Sequence, residues 1–141
     1  MNNKDMLSSI IKTVQMGQIG IRSVRDTPMK QELQDALDSQ LREYDAIETE
    51  AHNIANERGW KLKELNPAVR SMSEMMSRMQ LMGGNYDSKI AGMMIQGNTR
   101  GVITGMKNAR MHQNKDSRVT ALSEKLLETE DRNIDQMKPF L

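Results

Sequence analysis

The chain has 141 residues, of which 37% are hydrophobic and 28% charged, with a formal net charge of +1. That is globular composition, enough for one domain with its own core over residues 1–141, and it provides no strong field for nucleic acid or an anionic membrane. Cysteine is absent and aromatics make up 3%, which excludes disulfides, zinc–thiolate and iron–sulfur sites and thiol catalysis, and argues against a sheet protein.

The opening MNNKDMLSS is polar and lacks the apolar run of a signal peptide. A first helix is expected from Asn3 to Arg25, with Leu7, Ile10, Ile11, Val14, Ile21 and Val24 recurring in steps of three and four. Thr27-Pro28 reads as an N-cap followed by a proline in the first turn of a second helix. That helix carries Met29, Leu33, Leu37, Tyr44, Ile47, Ala51 and Ile54 as its stripe and runs to Arg58, with Gly59 as the C′ residue. Trp60 to Leu65 is a connector. Asn66-Pro67 opens a shorter helix with Val69, Met72, Met76 and Met79 inward, and Gly83-Gly84-Asn85 breaks or kinks it. A further helix spans Asp87 to His112, a polar turn covers Asn114 to Ser117, and a last helix runs to Met137 before Pro139. The longest apolar stretch, IAGMMI at 90–95, is far short of the ~18 residues that span a bilayer. A cytoplasmic protein is expected. The sum is all-α: an antiparallel four-helix bundle with a broken third helix or an extra short one.

GNTRGVITG (97–105) sets Gly97, Gly101 and Gly105 on one strip of a helix. Glycine costs about 1 kcal/mol against alanine inside a helix, so something must offset it. Apolar residues cover more than half of this helix, which should be the most buried one. Gly17 and Gly20 flank the stripe of the first helix. Close packing of the two glycine-notched helices is the preferred explanation; room for an apolar ligand beside the backbone is the other.

Polar residues at core positions are the strongest chemical signal. Glu130 sits inside the arc Val119, Leu126, Ile134, Met137. Gln18, Gln40 and Glu48 sit in or beside other stripes. A buried carboxylate must be paired, protonated or metal-bound. Equal counting across the last hairpin sets Glu130 opposite Asn98 and Gly97, with Arg22, Arg100, Asn98 or Gln18 as its expected partners. Glu48 and Glu130 are the candidate metal ligands, for iron or manganese. The Glu-x-x-His pattern of a di-metal bundle site fails, because Ala51 and Asn133 stand where histidines are needed, His52 lies off the stripe and His112 is near a helix end. The run SMSEMMSRMQLM places Met72, Met75, Met76, Met79 and Met82 at helical spacing. Thioethers suit Cu(I), but a flexible packing or partner-binding face is the commoner use. Eight acids in residues 26–50 face two bases, and five bases in 100–118 face one acid. These regions either attract each other within the molecule or drive self-association. The basic stretch lacks the interleaved aromatics of a nucleic-acid binder.

The segment LDSQLREYDAIETEAHNIANERGW (37–60), with its Arg58-Gly59-Trp60 ending, resembles the second helix of small bacterial ferritin-like bundles of the spore-coat F type. The resemblance implies a ferritin-like bundle in a spore former, without enzyme activity and with a degenerate metal site. The resulting expectation is a non-enzymatic structural or interaction bundle that forms homo-oligomers and meets a protein partner through its Met-rich helix. It has no cofactor and no nucleic-acid or membrane partner. The alternatives are a metal-binding or redox ferritin-like protein using Glu48 and Glu130, and a small-ligand carrier.

Overall fold

The first four N–H groups of a helix lack partners inside it, and side chains meet that need unevenly along this chain. The structure, a computed structural model, describes residues 1–69, 71, 78 and 80–141. Helix α1 (Asn3–Val24) starts on Asn2, whose side chain accepts from the Asp5 amide at 2.7 Å. Helix α2 (Gln31–Arg58) has Lys30 at its N-cap and no side-chain cap. The expected Thr27 cap is therefore corrected. The Thr27 amide donates to Val24 O at 3.0 Å and so closes the end of α1, and α2 begins only past Pro28. The Lys30 amide instead meets Asp87 Oδ1 at 3.1 Å, in the first turn of α3 (Tyr86–Met111). Asn66 behaves as expected, accepting from the Ala68 amide at 2.9 Å. Helix α4 (Ser117–Met137) is capped by Asp116, which accepts from Arg118 and Val119. A 3-10 turn follows at Lys138–Phe140.

Helix ends follow the sequence more closely. Gly59 has φ +67° and donates to Ala55 O and Asn56 O, and the Trp60 amide also donates to Ala55 O. This is the left-handed glycine stop of a Schellman-type end. Gly83, Gly84 and Asn85 all have positive φ, so the glycine pair makes a full turn ahead of α3.

The described residues are all-helical, as expected, and none of their helices is long and apolar enough to cross a membrane. Side-chain pairs fix the neighbours and directions of the helices. Gln15 meets Glu48 and Gln18 meets Asp45, so α1 and α2 run oppositely. Arg118 meets Glu50 and Arg132 meets Glu43, so α2 and α4 do too. Leu127 lies against Gly105 and Glu130 against Gly101, which makes α4 and α3 antiparallel. Asn108 bonds Ser9 at 2.6 Å and closes the ring from α3 to α1. The circuit is α1–α2–α4–α3, with α2 and α3 on a diagonal. The stripes read from the sequence fill the centre: Leu7, Ile11, Val14, Leu33, Ile47, Ile54, Ile90 and Val119 are fully buried, each contributing about 1.5–3 kcal/mol.

Two expectations about burial fail. Helix α3 is not the most buried; eleven residues of α1 are buried against six of α3. Ile103 and Met106 face solvent, because α4 occupies only one side of the wide apolar arc. Val69, expected inward, is 42% exposed. Met72, Met75, Met76 and Met79 lie outside the described residues. Met82, at the turn before α3, is 74% exposed.

Candidate functional site

A missing Cβ leaves a notch, and what enters the notch decides its use. A Cβ on Gly17 would lie 2.6 Å from the Tyr44 ring, one on Gly101 would lie 2.6 Å from Glu130 Oε2, and one on Gly105 would lie 2.7 Å from Leu127 Cδ2. Among the described residues, a Cβ on Gly97 would meet nothing within 4 Å, and one on Gly20 only Met94 Cε at 3.7 Å. The expected close packing of glycine-notched α1 on glycine-notched α3 is thus corrected. Gly17, Gly101 and Gly105 admit side chains of α2 and α4, which pack on α1 and α3 from the side. Gly20 and Gly97 border a cleft of about 350 Å³ between α1 and α3.

The floor of this cleft is polar and comes from three of the four helices. Tyr44 of α2, Asn98 of α3 and Glu130 of α4 line it, and they are 2%, 5% and 2% exposed. The Tyr44 hydroxyl donates to Asn98 Oδ1 at 3.0 Å. The same hydroxyl is a hydrogen-bond partner of the Glu130 carboxyl. One phenolic proton cannot serve two acceptors at once. The phenol is therefore shared between the Asn98 oxygen and the Glu130 carboxylate. Burial pushes the Glu130 pKa up to about 7, the Tyr44 hydrogen bond to the carboxylate opposes the shift, and the nearby Glu43 charge adds to it. Burial, then the facing Glu130 and Glu43 carboxylates, drives the Tyr44 pKa well above its usual value. Among the described residues Asn98 Nδ2 has no hydrogen-bond partner, and an unmet buried donor costs about 1–3 kcal/mol. The walls are Met93, Met94 and the glycines, and Arg100 and Thr104 stand at the α3 rim.

Among the described residues no arginine or lysine pairs with Glu130, which corrects the expected Arg22 or Arg100 partner. Arg22 reaches Asp45 instead, at 4.0 Å. Glu48 is occupied elsewhere. It accepts from Gln15 Nε2 at 3.1 Å and Gln18 Nε2 at 3.2 Å, so these two core-facing glutamines of α1 serve the α1–α2 seam. Gln15 Oε1 also accepts from the Leu65 amide at 3.1 Å, and Ser8 accepts from the Lys63 amide. One face of α1 therefore anchors the connector that leaves α2. Gln40 donates to Gln136 at 2.8 Å. Glu48 and Glu130 are thus held by separate neutral partners. Among the described residues no group of three or more His, Cys, Asp or Glu side chains could hold a metal ion.

His52 faces Glu64 at 3.5 Å, and the buried His112 meets Asn3 Oδ1 at 2.6 Å beneath the α3–α4 turn. The charge asymmetry of the sequence is partly spent within the molecule. Arg118 pairs with Glu50 and Glu57 of α2, and Arg58 pairs with Asp116 at 2.5 Å. Sequence reasoning found Glu130 but missed the role of Tyr44, which was read only as a stripe residue. The signal was available, since a buried phenol needs a partner for its hydroxyl.

Comparison of the chain with protein-family models, with curated proteins and with solved structures found no match. The site is accordingly read from its own geometry.

Proposed function

We propose that the chain is a non-enzymatic interaction protein, an antiparallel four-helix bundle of ferritin-like type that associates with further copies of itself. Two antiparallel helix pairs joined by one long connection, residues 59–85, support the ferritin-like reading. The observation that carries self-association is the outer face of α3. Ile103 is 48% exposed and Met106 57% exposed, one turn apart, and the half-buried Val102 adjoins them. Contiguous exposed apolar residues mark contact surfaces, whereas scattered ones do not. Charge supports a second copy as the occupant. Lys107 and Arg110 are exposed on α3, and Glu124, Glu128 and Asp131 are exposed on the adjoining α4. A two-fold axis along this face sets the bases of one copy against the acids of the other.

The test is molar mass in solution, by light scattering over a concentration series. The chain should run as a dimer or larger species, and an Ile103→Lys/Met106→Lys variant should run as a monomer with unchanged helicity. A wild-type chain that stays monomeric at high micromolar concentration would defeat the proposal.

A further inference from the structure

Among the described residues, the cleft between α1 and α3 contains a hydrogen-bond donor without an acceptor and an acid without a base. Asn98 Nδ2 is unpartnered in a side chain that is 95% buried by the complement of its 5% exposure. Glu130, equally enclosed, shares the Tyr44 hydroxyl, and among the described residues no arginine or lysine pairs with it. Both groups line the same 350 Å³ space, which is large enough for a small organic molecule. We propose that this cleft binds a small organic amine that has an apolar body and carries a hydroxyl or carbonyl oxygen beside its nitrogen. The ammonium meets the Glu130 carboxylate and supplies the missing positive charge. The neighbouring oxygen accepts from Asn98 Nδ2. The apolar body lies against Met93 and Met94, whose thioethers suit an aromatic ring, and against the bare backbone at Gly97. Arg100 stands at the rim, where solvent screens its charge from the floor. The site does not depend on self-association, because its floor and walls come from one chain.

Gly97 lines the cleft, and among the described residues nothing lies within 4 Å of a Cβ added there; Gly97→Leu is therefore expected to fill the cleft while removing a helix-interior glycine. The experiment is a titration of the full chain at about pH 8 with phenylethanolamine, followed by backbone-amide NMR. The same titration is run with α-ethylbenzyl alcohol, in which a methyl replaces the amine, and with phenethylamine, which lacks the hydroxyl. Phenylethanolamine should bind about tenfold more tightly than the alcohol, the ratio expected of one charge-assisted hydrogen bond. It should also bind several-fold more tightly than phenethylamine. Glu130→Gln should remove the first difference, and Gly97→Leu should abolish binding with no loss in melting temperature. Equal affinity for amine and alcohol, unchanged binding to Gly97→Leu, or no amide shifts up to the solubility limit of phenylethanolamine would each overturn the proposal.

Discussion

The α1–α2 seam and the α1–α3 seam both run along α1 past a glycine, yet among the described residues only one of them is filled. At Gly17 the Tyr44 ring occupies the notch and two glutamines lie over Glu48. One turn further on, and among the described residues, Gly20 faces only the tip of Met94 and Gly97 across the seam faces nothing. The difference comes from what the neighbouring helix offers. Helix α2 presents a tyrosine and acids to α1, and α3 presents glycines to it. A glycine records that a Cβ is missing. Whether the space serves packing or remains open depends on the residue opposite.

Substitutions can break or sharpen this contrast. The largest effect is expected at Glu130, the acid beneath the open seam. Its pKa is raised from the 4.5 of a solvated glutamate to about 7, so the folded state holds its proton more tightly than the unfolded chain does. The resulting penalty is absent well below 4.5, grows as pH rises between the two values, and is complete above about 7. Glu130→Gln should therefore stabilise the protein by roughly 3 kcal/mol at about pH 8. The gain should vanish by about pH 4, and denaturant melts of both proteins at the two pH values would show it. A gain independent of pH would mean that the carboxyl is not the cause. In the filled seam, Gly17→Ala drives a methyl into the Tyr44 ring and should cost about 1–3 kcal/mol in the same melts. Tyr44→Phe leaves Asn98 Oδ1 without its donor and should cost about 1–2 kcal/mol. It should also move the Glu130 midpoint further up, as read by carbon NMR of the carboxyl. Smallest of all, Gly97→Ala in the open seam should raise stability by up to about 1 kcal/mol. Opposite signs for alanine at Gly17 and Gly97 would establish that one notch is filled and the other empty.

Much of the architecture was legible in the sequence. The stripes of α1 and α2, the Gly59 stop and the Asn66 cap depend on local spacing and backbone preference, and they appear where the pattern places them. The Thr27 cap failed because the end of α1 uses its amide, a competition between neighbouring turns that a cap rule does not see. Burial of α3 was overestimated because a wide apolar arc does not say how many neighbours will cover it. At the site, Glu130 was legible as an acid among apolar positions. The grouping of Tyr44 and Asn98 with it was not, since 54 residues separate Tyr44 from Asn98 and no local period links them.

The sequence by itself determined an all-helical chain, its helix ends within a few residues, the apolar faces and the presence of a buried acid. These follow from backbone propensity and 3.6-residue periodicity, which act over one or two turns. Only the tertiary structure decided the α1–α2–α4–α3 circuit, and with it which of the cleft-lining glycines receive a side chain. That outcome depends on the residue facing each notch across the core, and spacing along one helix carries no information about it.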